Sequence, residues 1–168
     1  HAFEGCSGFI GNLIIPDKVT NIGDFAFCNC IGFTGYLSIG SSVTSLGQCA
    51  FASFTQTLKE THNNYKSYTY NYQKLFTTVY CKVSVPPTLR YRKLDVYLDG
   101  YVNAYSTFGW CTDRGVEALE VYGSPGGNPL NDTHGGRRSQ HLLVPINCLS
   151  AYKKTAGWNF PLIEEVDF

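Results

Sequence analysis

A chain of 168 residues with 13 basic and 13 acidic side chains carries no formal net charge, and its pI is about 7.0. That balance gives nucleic acid or an anionic membrane no electrostatic hold, and LRYRK (89–93) and Arg137-Arg138 read as solvated surface. A hydrophobic content of 43% suffices for one folded core, while no run approaches the roughly 20 apolar residues of a membrane-crossing helix.

Residues 2–25 (AFEGCSGFIGNLIIPDKVTNIGDF) and 26–49 (AFCNCIGFTGYLSIGSSVTSLGQC) match at 11 positions under an offset of 24, and a third copy opens at Ala50-Phe51. Apolar residues at fixed offsets in a period of this length predict a solenoid, in which each coil buries its face only against its neighbours. Leu13-x-Ile15 and Leu37-x-Ile39 alternate with period two and predict short half-buried strands, the first limited by Pro16. Val19, Ile22, Phe25 and Phe27, matched by Val43, Leu46 and Phe51, supply a second apolar series. Gly23 and Gly47 are expected at turns with positive φ, and DFAFCNC and QCAFASF as about one helical or 3₁₀ turn each. Seven cysteines cannot all pair within one chain. Cys6 and Cys30, at one repeat position, fall within disulfide reach in adjacent coils, but buried free thiols are the expectation.

If the period held, the next strand leucine would fall at 61, yet the strand-like VYC begins at Val79, which implies an insertion of about 18 residues. The insertion contains KETHNNYKSYTYNYQK (59–74), with a tight turn expected at Asn63-Asn64. Tyr68, Tyr70 and Tyr72 alternate with polar residues and share one face of a predicted strand. Two readings are open: the rings cover the flank of the solenoid, or they form a partner-binding strip, sugar rings included. Farther on, Leu94, Val96 and Leu98 alternate, Asp99-Gly100 is a two-residue hairpin signal, and Tyr101 to Tyr105 supplies the return strand. VEALEVY (116–122) reads as another strand and residues 122–140, with five glycines and two prolines, as an irregular surface loop. A short helix is expected over residues 147–156, with Leu149, Tyr152 and Ala156 on one stripe, Gly157 as its left-handed stop and Trp158 folding back. PLIEEVDF then adds a last edge strand.

AFEGCSGF, IIPDKVTNIGDFAFCNC and SVTSLGQCAF resemble the BspA-type leucine-rich repeat, strongly over residues 1–58. VYCKVSVPPTL (79–89) and LLVPINCLSAYKKTAGWNF (142–160) resemble the closing segment of the family's bacterial members. The resemblance implies a leucine-rich-repeat solenoid with inserted β-hairpins and a short capping helix. It divides the chain into repeats at 1–58 and a remainder at 59–168, the latter holding a Tyr-rich insert (59–75), a hairpin and loop insert (90–141) and a cap (142–168). It further implies a cell-surface or secreted protein that binds a protein or glycan ligand, with adhesin-like use in host or matrix binding, and it carries over no catalytic residue, metal or cofactor. His1-Ala2-Phe3 falls partway through a repeat and no Met occurs, so residue 1 is expected to be a cut in a longer chain.

The residue inventory agrees with a non-enzymatic reading. Cys111 or Cys148 with His134 or His141 lacks the context of a nucleophile pair, and His62, His134 and His141 lack metal-ligand spacing. GSPGGNP (123–129) lacks the Lys-Ser/Thr of a phosphate loop, and Asn131-Asp132-Thr133 is a formal glycosylation sequon. The alternatives to adhesion are a carbohydrate-binding accessory using Tyr68, Tyr70 and Tyr72, and a purely structural end of a longer array.

Overall fold

The computed structural model describes the backbone of residues 1–52, 54–62, 65–72, 76–90, 92–96, 101–106, 109–114, 141–155, 158, 160 and 162–168, and the side chains outside 53–75 and 91–140. Among these, strands β1 (Gly11–Ile14), β3 (Phe33–Ile39), β7 (Thr78–Cys81), β12 (His141–Pro145) and β13 (Leu162–Val166) form a parallel sheet in that spatial order. A second parallel sheet joins β2 (Asn21–Ile22), β4 (Ser45–Leu46) and β8 (Thr88–Leu89). Spatial order thus follows chain order in both sheets: the first three turns of chain add one strand to each, and β12 and β13 extend the first sheet alone.

The 24-residue period is the register of this ladder. Leu13 pairs with Leu37, and Leu37 with Val79, which lies 42 residues on and so 18 beyond the period. Leu142 continues the row beside Val79. Leu37, Val79 and Leu142 are 0% exposed, as are Ile39, Cys81 and Val144 two residues on, because alternate strand positions point to the same buried side. Ile22, Leu46 and the half-buried Leu89 form the facing row from the second sheet. Phenylalanines continue the pattern: Phe27 stacks on Phe3 at 5.2 Å and on Phe51 at 5.8 Å, while Phe33 lies between Phe9 at 5.5 Å and Phe76 at 5.8 Å. At about 1.5–3 kcal/mol per buried large apolar side chain, such rows outweigh the ordering cost of a turn only when a neighbour covers them.

The corner between the two series differs from the regular helical or 3₁₀ turn expected of it. Phe25, Phe27 and Asn29 donate their amides to the carbonyls of Gln48, Ala50 and Ala52 in the next turn of chain, and Phe3 and Gly5 donate likewise to Ala26 and Cys28. Phe25, Asn29 and Cys49 have positive φ (56°, 58° and 51°), which no run of right-handed helix admits. The segment is instead a chain of tight turns, Ala26 to Gly23, Cys28 to Phe25 and Cys30 to Phe27, that adds a third line of hydrogen bonds between neighbouring turns. Gly23 and Gly47, expected at positive φ, are not among the positive-φ residues. Gly47 is required for closeness: a Cβ there would stand 2.4 Å from the backbone nitrogen of Asp24.

Side chains reinforce the backbone at the repeat spacing. Asn12 Oδ1 accepts from the Tyr36 amide at 2.9 Å, Asp17 Oδ1 from Ser41 at 2.9 Å and Asp24 Oδ1 from Gln48 at 3.0 Å, each across 24 residues. Bonding to the charged form holds the Asp17 carboxyl below its usual range, chiefly through the Ser41 amide. Cys6, Cys28, Cys30, Cys81 and Cys148 are free thiols; at the position expected to hold buried ones Cys30 is buried and Cys6 half-buried, and Cys30 Sγ donates to the Phe3 carbonyl at 2.9 Å. Burial pushes the Cys28 thiol up to about 12 and the Cys81 thiol up to about 11.

At the far edge of the five-stranded sheet, helix α1 (Leu149–Lys154), shorter than the expected 147–156, connects β12 to the strand β13 foreseen in PLIEEVDF. Tyr152 and Trp158 are 0% exposed and meet edge to face at 5.1 Å. Tyr152 donates to the Val83 carbonyl at 2.6 Å and Trp158 Nε1 to the Pro87 carbonyl at 2.8 Å, so both polar ends are satisfied inside the core. Glu165 of β13 accepts from the Leu149 amide at 2.8 Å and fastens strand to helix. Ala156 and Gly157, the expected helix end, lie outside the described residues.

Two antiparallel units stand apart from the ladders in sequence. β5 (Phe54–His62) and β6 (Tyr65–Tyr72) form a hairpin that occupies the first insertion and opens at Phe54, ahead of the 59–75 insert expected. β9 (Arg92–Val96), β10 (Tyr101–Ser106) and β11 (Gly109–Arg114) form a three-stranded sheet in the order β11-β10-β9, so the strand foreseen at 94–98, described as far as Val96, pairs with that foreseen at 101–105. The turns at Asn63-Asn64 and Asp99-Gly100, the strand at 116–122 and the loop at 122–140 lie outside the described residues.

Candidate binding surface

With alternate residues committed to the core, the intervening ones of the five-stranded sheet face outward. Register sets them in rows across the strands: Ile14, Ser38, Tyr80, Leu143 and Glu164 in one, Tyr36, Thr78, His141 and Leu162 in the next. Tyr36 and Tyr80 are half-buried and meet edge to face, ring centres 5.2 Å apart. Ile14 is 61% exposed at the open edge, whereas Ser38 and Leu143 are covered. His141 Nε2 lies 3.1 Å from Glu164 Oε2 on the neighbouring strand. Phe168, two residues past β13, lies 6.4 Å from Tyr80, and Lys82 Nζ stands 5.8 Å from the centre of the Phe168 ring.

This face offers aromatic and apolar area rimmed by a few charges, the composition by which protein surfaces hold partners. The fully buried Tyr152 hydroxyl, raised by burial, belongs to the core.

Tyr68, Tyr70 and Tyr72 lie on β6, opposite Leu58, Gln56 and Phe54 of β5, so the backbone puts them at alternate positions of one strand as the sequence indicates. Their side chains lie outside the described residues. Of the residues weighed for chemistry, His134 lies outside the described residues and the side chains of His62 and Cys111 do too; Cys148 is half-buried, its Sγ 3.7 Å from the Ile146 carbonyl. The outward aromatic trio Tyr36, Tyr80 and Phe168 escaped sequence reasoning. Its signal was the strand alternation itself, because each tyrosine is next to a core residue, Leu37 or Val79.

Repeated turns of chain that feed parallel ladders, carry an aromatic outer sheet face and end against a helix and a buried tryptophan define a leucine-rich-repeat type of protein. The chain belongs to the BspA-type leucine-rich repeat family: the model described as "BspA type Leucine rich repeat region" matches residues 1–96 in 6 copies. The match runs beyond the strong resemblance at 1–58, past the β5–β6 hairpin and through β9. Comparison with curated proteins and with solved structures finds no match.

Proposed function

We propose that this chain is a non-enzymatic binding module of solenoid type, displayed at the cell surface or secreted, which engages a host or matrix protein in an adhesin-like role. The observation that carries the reading is the half-buried edge-to-face pair Tyr36–Tyr80 on the outer face of an in-register parallel sheet. Tyrosines on rigid strands give amphipathic contact area at little entropy cost. Leucine-rich repeats commonly bind proteins and this family is often surface-associated, which supports the reading; among the described residues no helix is long and apolar enough to cross a membrane. No catalytic residue, metal or cofactor enters this proposal.

Surface plasmon resonance of the full chain over a panel of immobilised matrix proteins, run beside a glycan array, tests it. The expected result is protein binding weakened at least tenfold by Tyr36→Ala with Tyr80→Ala. Binding confined to the glycan array and removed by the Tyr68/Tyr70/Tyr72→Ala triple would replace it with the carbohydrate reading.

A further inference from the structure

We infer that Tyr80 and Lys82 form a subsite for an aromatic side chain carried on an acidic peptide segment, and that residues 164–168 of this same chain occupy it. The inference rests on the proposed use of the outer sheet face and names the chemistry of the partner.

β12 separates β7 from β13, so the chain after β13 turns back past β12 for Phe168 to meet Tyr80. Its ring then meets two groups that answer to an aromatic. The Tyr80 ring lies 6.4 Å away edge to face, and the Lys82 ammonium 5.8 Å from the ring centre, within reach of the negative face. The residues leading to the ring are Glu164, Glu165, Val166 and Asp167, three of the four acidic; Glu164 lies beside His141 and Glu165 is held by the Leu149 amide, so Asp167 is the carboxylate next to the ring. Phe168 remains 48% exposed, so it is held from one side and open on the other. A large apolar ring spread over a tyrosine and a lysine at the surface, in place of the core two residues after a strand, is an internal ligand. A partner that presents an aromatic residue beside carboxylates takes the same place by displacing it.

The test uses the full chain and two probes, the acetylated peptides EEVDF and EEVDA, titrated by chemical-shift perturbation. EEVDF is expected to bind the Phe168→Ala variant with a Kd at least fivefold lower than for wild type, whose subsite is filled. Lys82→Ala placed in the Phe168→Ala background removes that gain, as does Tyr80→Ala, and EEVDA shows none. Lys82 caps no core row, so its variant keeps the test sharp should Tyr80→Ala unfold. Equal affinity for wild type and Phe168→Ala, absence of binding to both, or equal gains for the two peptides overturns the subsite. The outcomes separate from the matrix-protein experiment: a positive peptide result without matrix binding keeps the subsite and sinks the adhesin reading, and the reverse keeps the reading and sinks the subsite.

Discussion

Asp17 shows how much one side chain of the repeat does. Its carboxylate accepts from the Ser41 amide one turn of chain ahead and is held below its usual range by that bond. A carboxyl whose folded-state value is depressed stabilises the fold above its unfolded value, and the contribution disappears as pH falls through the folded value. Wild type is therefore expected to exceed Asp17→Ala in urea midpoint at pH 7, with the gap closing below pH 4. A gap of the same size at pH 2.5 would show that the acceptor acts without its charge. Gly47 illustrates the opposite case, a residue chosen for what it lacks. The sequence identifies it as special, but the reason, the Asp24 backbone 2.4 Å from where a Cβ would stand, exists only once two turns are stacked.

Among elements, the closing unit of α1, β13 and Trp158 is the most self-explanatory. Six residues of helix are too few to persist alone, so burial of Tyr152 and the bond to Glu165 hold them. Trp158→Ala should cost about 3–5 kcal/mol through the lost ring volume and the orphaned Pro87 carbonyl, read from chemical denaturation. A loss under 1 kcal/mol would mean that the ring is not the seal of the core. The strands of the ladder were legible because alternation of apolar and polar residues is local information. The corner after Gly23 was not, because the amides of Phe25, Phe27 and Asn29 are satisfied by Gln48, Ala50 and Ala52, residues 23 positions away. Local pattern suggested helix; contact with the next turn selected a different backbone.

For the molecule as a whole, an insertion of 18 residues leaves the register of Leu37 on Val79 intact. Loop closure grows only logarithmically with length, each doubling costing about 0.6 kcal/mol, so a hairpin of its own fits between turns at small cost. Excising 18 residues from within 54–72 to restore the period should keep the far-ultraviolet circular dichroism of the ladder and shift Tm by no more than about 5 °C. A collapse of the melt would show the hairpin to be part of the core. The outer-face aromatics were illegible at this scale for the same reason. Tyr36 and Tyr80 become neighbours only after the insertion is looped out, and Phe168 joins them only after the chain has passed through β12 and β13.

The acceptors Asn12, Asp17 and Asp24 all belong to the earlier of two turns and all receive amides of the later one. At the corner the polarity is reversed, because Phe25, Phe27 and Asn29 of the earlier turn donate to carbonyls of the later one. The seam between these two turns therefore carries bonds of both senses. Neither turn has its donors and acceptors matched until the other is in place, so the two are expected to order as a pair and to fray as a pair.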